Sequence, residues 1–216
     1  MNSFLELVSN PVFGALLIVF GPLAIALIYR RWHCDGWSRA NEPAVQSWAI
    51  DDLIQANRSY TRRFDLQGLP ARPVRKLAVV TCMDARLPVE RLLGLKPGEA
   101  HIIRNAGGIV TEDAIRSLLV SHYQLGTQEF LIINHTDCGM MTFKDEELSA
   151  RLQRLTGKKT AIAFHAFRDL DGNVRRQVQQ VKAHPWMPKD VPVRGFVYDV
   201  RNGLLREVAD GMPVKT

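Results

Sequence analysis

Two short segments, well separated along the chain, carry side chains that bind metal ions. Cys82 lies in the segment TCMDAR (81–86), and His135 and Cys138 lie in HTDC (135–138). Two thiolates and an imidazole form a soft ligand set that suits zinc better than magnesium or calcium. Three protein ligands leave a tetrahedral zinc ion one open position, as in catalytic sites. The segments therefore predict a catalytic zinc site; the alternative is two core thiols and an unrelated buried histidine.

Asp84 and Arg86 follow the first cysteine directly. They are separated by one residue, so both side chains can point to the same side of an extended turn. A carboxylate at a zinc site can accept a hydrogen bond from the reacting water, and an arginine fork can hold that carboxylate in place. The alternative is a surface ion pair worth about 0–1 kcal/mol. The position next to a predicted ligand favours a role in the site.

Short apolar segments alternate with helical patterns over most of the chain. The predicted strands are rich in β-branched residues, as in a parallel sheet buried on both faces, and cover 76–82, 100–104, 129–135 and 193–200. The predicted helices are 87–93, 111–125, 145–155 and 173–184. Asn202-Gly203 predicts a hairpin, after which 204–208 can pair antiparallel at the edge. The fold class is therefore α/β, with a mostly parallel four-stranded sheet, a possible antiparallel edge strand and flanking helices.

The predicted strands bring the reactive residues to one edge of the sheet. Cys82 ends the first strand, Gly107 and Gly108 follow the second, and His135 ends the third. Sites in open parallel sheets form beyond the carboxyl ends of the strands. The topology therefore predicts that these residues converge.

Three motifs in this order and spacing closely resemble the β-class carbonic anhydrases: CMDAR (82–86), RNAGG (104–108) and HTDCG (135–139). The resemblance covers roughly residues 49–208. It implies zinc ligands at Cys82, His135 and Cys138. It further implies a catalytic pair at Asp84 and Arg86, a pocket-lining loop at Gly107 and Gly108, and a closed state in which Asp84 is the fourth zinc ligand.

The activity that this resemblance implies is the zinc-dependent, reversible hydration of carbon dioxide to bicarbonate and a proton. Similar enzymes are homodimers or homotetramers with sites near the subunit interface and N-terminal helices that embrace the partner. Two other functions remain open: hydrolysis of carbonyl sulfide or carbon disulfide at the same site, and a non-catalytic zinc-binding scaffold. His101, His122 and His165 are further candidates for moving the proton.

The N-terminal part of the chain has no counterpart in that resemblance. Residues 12–29 are eighteen residues without a charge, followed by Arg30-Arg31. As a helix they would span about 27 Å, close to the hydrocarbon thickness of a bilayer. The pattern predicts an N-terminal apolar helix that anchors a cytoplasmic catalytic domain to the membrane. The alternatives are a helix packed within the protein or its oligomer, and a start site assigned too far upstream.

The predicted organisation is an apolar segment with a linker over 1–45 and a zinc domain over 46–216. At the junction of the two, 45–64 is predicted to be helical. Its candidate buried positions are Trp48, Leu53, Ile54, Tyr60 and Phe64.

Composition narrows the class of partner. The net charge of +6 comes from scattered basic pairs, and no basic run is interleaved with aromatic residues. Nucleic acid is therefore not a predicted partner. Three cysteines do not form a disulfide framework, and metal-binding thiols need a reducing compartment such as the cytosol. Cys34 is interpreted as a free thiol or, if it lies beside a membrane, as a lipidation site.

Overall fold

The computed structural model describes residues 49–208, which form five strands and five α-helices. The strands are β1 (Leu77–Cys82), β2 (Ala100–Asn105), β3 (Glu129–His135), β4 (Val193–Tyr198) and β5 (Leu205–Val208). The helices are α1 (Ala49–Thr61), α2 (Val89–Leu93), α3 (Glu112–Tyr123), α4 (Asp145–Thr156) and α5 (Leu170–Ala183). Two short 3₁₀ turns, Ala106–Gly108 and Gly139–Met141, follow β2 and β3.

The strands form one sheet in the order β2-β1-β3-β4-β5. The first four run parallel, and β5 pairs antiparallel with β4, which confirms the predicted α/β fold and its edge strand. β1 lies inside the sheet, and each of its residues after Leu77 is buried. Gly195 on β4 lets helix α5 pack closely, because a Cβ there would collide with Val174 and Val178.

The ends of the helices follow from capping groups in the sequence. Thr111 accepts a hydrogen bond from the Ala114 N–H at 3.3 Å, so the hydroxyl begins α3 as predicted. Helix α5 begins earlier than the predicted residue 173, because the Asp169 carboxylate accepts a bond from the Gly172 N–H at 2.9 Å. Its predicted apolar stripe, which includes Val181, is buried against the sheet.

Helix α1 belongs to a separate unit that ends at Phe64, and the sheet belongs to a unit that begins at Asp65. The prediction that this helix buries its apolar stripe is wrong for the single chain. The exposed fractions are 69% for Leu53, 51% for Ile54, 49% for Tyr60 and 43% for Phe64. Periodicity identifies the stripe of a helix, but only a second surface can bury it.

Several predictions concern parts of the chain outside residues 49–208. They include the membrane helix at 12–29, the free thiol Cys34 and the buried position Trp48. Within the described range, every helix is too short or too polar to cross a bilayer.

Candidate metal centre

The two predicted motifs meet at the carboxyl edge of the sheet. The Cys82 and Cys138 sulfurs and a ring nitrogen of His135 lie within 4.8 Å of one another. Ligands of a tetrahedral zinc ion lie about 3.5–3.8 Å apart, given Zn–S and Zn–N bonds of about 2.3 and 2.0 Å. Both thiols are free, and all three side chains are at most 4% exposed. The residues therefore fit a zinc ion.

His135 is oriented for metal binding by the backbone of the next residue. It ends β3 opposite Tyr198 of β4, and its Nδ1 donates to the Thr136 carbonyl at 2.9 Å. A neutral ring protonated at Nδ1 leaves the Nε2 lone pair free, which is the tautomer a metal ligand needs. Of the buried side-chain nitrogen and oxygen atoms in residues 49–208, only His135 Nε2 lacks a hydrogen-bond partner. A buried polar atom without a partner is costly, and a metal ion would satisfy it.

The pKa values of the two cysteines are shifted in opposite directions. The Cys138 thiol donates towards the Cys82 sulfur, and this bond, helped by the backbone N–H groups of Asp84 and Gly107, holds the pKa of Cys82 below its usual value. The same bond and burial raise the pKa of Cys138. Burial lowers the pKa of His135, but the Cys82 sulfur, the Thr136 carbonyl and the Asp84 carboxylate together raise it above its usual value. Protons and a metal ion therefore compete for the same three atoms.

Asp84 and Arg86 form a closely bonded pair at the mouth of this cluster. Arg86 Nη2 donates to Asp84 Oδ2 at 2.8 Å, and the Arg86 backbone N–H and Nε donate to Oδ1 at 2.9 and 3.0 Å. Asp84 Oδ2 lies 3.8 Å from His135 Nε2. The guanidinium of Arg86 keeps the pKa of Asp84 well below its usual range. The carboxylate is therefore ionised at neutral pH and faces the metal ligands.

The glycine loop after β2 packs directly on the first cysteine. Gly107 and Gly108 have φ angles of 83° and 62°, which L side chains rarely adopt. A Cβ on Gly108 would lie 2.9 Å from both the Cys82 nitrogen and the Thr81 carbonyl carbon. The loop therefore lies against the backbone of a metal ligand, where only glycine fits.

Comparison with known proteins identifies the family. Residues 77–205 match the family model described as "Carbonic anhydrase". A β-carbonic anhydrase 1 from Mycobacterium tuberculosis is 44% identical over 158 residues, which are 73% of this chain and 96% of that protein. The chain belongs to the β-class carbonic anhydrases.

Solved structures and other relatives agree with that membership. The crystal structure of a carbonic anhydrase from Streptococcus mutans superposes with a TM-score of 0.73 at 42% identity, and covers 76% of this chain and 99% of that one. A carbon disulfide hydrolase from Saccharolobus solfataricus is 37% identical, with 73% of this chain and 88% of that protein covered.

Two residues of this carbonic anhydrase site were missed from the sequence. Arg86 Nη1 also donates to Asp137 Oδ2 at 2.7 Å, and its Nη2 donates to the Asp137 carbonyl at 2.9 Å, so one side chain joins both motifs. Arg104 donates to the carbonyls of Cys82 at 3.0 Å and Asp84 at 2.6 Å. Both residues lie inside the quoted motifs, which was the available signal, but spacing alone did not indicate their contacts.

The candidate proton-transfer histidines are not gathered at the metal centre. His101 lies beside Ala78 near the start of the strands, and its Nδ1 is 2.7 Å from Ser121 Oγ. His122 Nδ1 donates to the Thr127 carbonyl at 2.7 Å, just before β3 begins. Both therefore lie at the amino edge, opposite the metal ligands. His165 is exposed on the loop before α5.

Proposed function

We propose that this chain is a zinc enzyme that reversibly hydrates carbon dioxide to bicarbonate and a proton. The observation that carries the proposal is the unpaired Nε2 of His135, enclosed by two cysteines and facing the ionised Asp84 carboxylate. A structural zinc site has no use for a carboxylate held at its mouth. A catalytic site needs one to orient water.

Cys82, His135 and Cys138 would hold the zinc ion. When bound, such an ion supplies Lewis acidity that lowers the pKa of water from 15.7 to roughly 7. Two thiolates donate more charge to the metal ion than imidazoles would, which makes ionisation of the water harder. A neighbouring group that assists this ionisation therefore matters more here. Asp84 is that group.

Asp84 would act as a hydrogen-bond acceptor and not as a base. Its lowered pKa means that the carboxylate does not keep a proton at neutral pH. It can accept a hydrogen bond from the reacting water and fix the direction of the oxygen lone pair. Arg86 holds both carboxylate oxygens, which prevents rotation away from this position.

Apolar side chains complete the setting for the substrate. Leu87, Ile109 and Met140 are buried in one cluster with the two cysteines. Carbon dioxide has no net dipole and loses little on leaving water for such a surface, whereas bicarbonate is charged and favours release. This contrast supports a hydration site that turns over.

Replacing Asp84 with asparagine tests the proposal. Asp84→Asn should keep zinc bound but lower kcat/KM for carbon dioxide hydration by about 100-fold or more. The matched control is Asp171→Asn, which breaks an equivalent pair with Arg206 at 2.8 Å on another surface and should leave activity unchanged. Wild-type turnover in Asp84→Asn would contradict the role of Asp84. A zinc-loaded wild type with no turnover would favour the scaffold function.

Carbon disulfide hydrolysis is the second candidate, because the relative from Saccharolobus solfataricus carries that name. Carbonyl sulfide belongs with it as a linear substrate of the same shape. The test supplies each gas to the purified zinc-loaded protein. Sulfide release that exceeds bicarbonate formation would replace the first proposal with this one.

Assembly and location complete the proposal. We infer a homodimer or homotetramer, supported by the exposed apolar stripe of α1. We also infer a membrane anchor at 12–29 with the catalytic domain in the cytoplasm, supported by the uncharged run before Arg30-Arg31. Sedimentation measures the oligomeric state. Membrane fractionation with an alkaline carbonate wash tests the anchor, because release of the protein by the wash excludes a spanning helix.

A closed state, with Asp84 as a fourth ligand, would require Arg86 to release the carboxylate. Crystal structures of the zinc-loaded protein at several pH values would test it, because they show whether Asp84 or a water molecule is the fourth ligand. A water ligand at every pH would exclude that state.

A further inference from the structure

Three amide side chains are buried beside the metal centre without contacting it. Asn134 lies on β3, next to the ligand His135, and is 1% exposed. Asn173 and Gln177 lie one turn apart on α5 and are 2% and 6% exposed. Buried polar groups are costly unless all of their hydrogen bonds are formed. Their arrangement therefore needs an explanation.

The three amides form a directed chain of hydrogen bonds. The backbone N–H of Val110 donates to Gln177 Oε1 at 2.8 Å. Gln177 Nε2 donates to Asn173 Oδ1 at 3.1 Å, and Asn173 Nδ2 donates to Asn134 Oδ1 at 2.9 Å. Asn134 Nδ2 then donates to the Gly107 carbonyl at 2.8 Å. Each amide donates on one side and accepts on the other, so no amide in the chain can flip.

Both ends of this chain attach to the glycine loop. Asn134 Nδ2 also lies 3.3 Å from the Gly108 carbonyl, and Val110 follows two residues later. The loop in turn rests on Cys82, because Gly108 leaves no room for a Cβ against the Cys82 backbone. Helix α5 is thereby connected to the backbone of a metal ligand through hydrogen bonds to the loop and the close packing of Gly108 on Cys82.

We propose that Asn134, Asn173 and Gln177 are positioning residues that hold the glycine loop against Cys82 and so fix the geometry of the metal centre. The inference rests on the proposed zinc site but not on its substrate. Loss of the chain would let the loop move away from the Cys82 backbone. Loss of outer hydrogen-bond partners typically costs 10–100-fold in metal affinity or activity.

Gln177→Met tests the chain because methionine is similar in length and offers no amide. Its matched control is Val181→Ala, one turn further along α5, where a fully buried apolar side chain packs in the core and takes no part in these hydrogen bonds. Both variants should lower the melting temperature. Gln177→Met alone should speed zinc release to a chelator by about tenfold or more and shift the visible spectrum of the cobalt-substituted protein. Val181→Ala should stay within about twofold of the wild type in release rate.

If Gln177→Met does not fold, Gln177→Ala serves instead, because water can enter the space it leaves. Release rates and cobalt spectra equal to those of Val181→Ala would overturn the inference. Neither readout requires turnover. A protein that fails to hydrate carbon dioxide but shows the spectral shift would remove the proposed function and leave this inference standing.

Discussion

The two sides of the metal centre differ in burial and in how their polar groups are paired. On the inner side, Cys82 and His135 are almost fully buried, and the imidazole keeps an unpaired nitrogen. On the outer side, the exposed side-chain fractions of Asp84, Arg86 and Asp137 are 18%, 47% and 67%, and each is ion-paired. The buried side needs a metal ion to satisfy it, whereas the outer charges satisfy one another. Substitutions on the buried side should therefore abolish zinc binding and activity, whereas substitutions on the outer side should lower activity by graded amounts.

The largest effect is expected from removing a buried ligand. Cys138→Ser replaces a soft thiolate with a hydroxyl and should abolish zinc binding and activity. This loss should exceed the 10–100-fold typical of outer hydrogen-bond partners. Atomic absorption on the purified protein measures it. Cys34→Ser, outside the motifs, should retain one zinc ion per chain; equal zinc content in the two variants would contradict the ligand assignment.

On the outer side, the largest effect is expected at Arg86. Arg86→Lys keeps the charge but loses the planar fork, so kcat/KM should fall about 10–100-fold while zinc stays bound. The fork lowers the pKa of Asp84, so in the variant this pKa rises and activity should be lost at higher pH on acidification. Rates measured from about pH 6 down through the ordinary aspartate value of about 3.9 check this. Arg206→Lys, at the distant pair with Asp171, should leave the acidic limb unchanged.

A smaller loss is expected at the outermost charge. Asp137→Asn removes one ion pair but keeps the carbonyl that accepts from Arg86, and asparagine tolerates the positive φ of 56°. The expected fall in kcat/KM is about two- to fivefold, because an exposed ion pair contributes little. Asp113→Asn, which breaks the pair with Arg116, serves as the control. A loss as large as that of Arg86→Lys would mean that the two sides are not distinct.

The smallest effect on activity is expected at Asp145, a carboxylate that orders a loop. It accepts hydrogen bonds of 2.8–2.9 Å from the backbone N–H groups of Phe164, His165 and Ala166. Asp145→Asn should lower the free energy of unfolding by about 1–3 kcal/mol and leave zinc bound. Denaturant unfolding measures the loss.

The same variant gives a pH test with a defined sign. The Ala166 N–H and its neighbours lower the folded-state pKa of Asp145, so its stabilisation is complete above the unfolded value of about 3.9. It is lost as the pH falls through the lower, folded pKa. The stability gap between wild type and Asp145→Asn should be constant near neutral pH and narrow in acid. A gap that does not change with pH would contradict this account.

The sequence was sufficient to predict the parts of the centre that depend on local pattern. Cys82 and His135 end apolar runs, and parallel strands bring such ends together. The amide chain could not be predicted, because Asn173 meets a partner 39 residues away and Gln177 meets one 67 residues away. Polar residues on a helix usually face solvent, and only the packing of α5 showed that these do not. The prediction that α1 is buried was wrong for a related reason, since an apolar stripe does not specify the surface that would cover it.

The metal centre is expected to be unusually sensitive to substitution of Gly108. This residue offers no donor atom to a metal ion, yet a single added methyl group would press on the peptide that carries Cys82. In a saturation scan scored by zinc content, this position should therefore tolerate as few replacements as the cysteines themselves. Intolerance to substitution at such a position would reflect backbone crowding and not chemical participation.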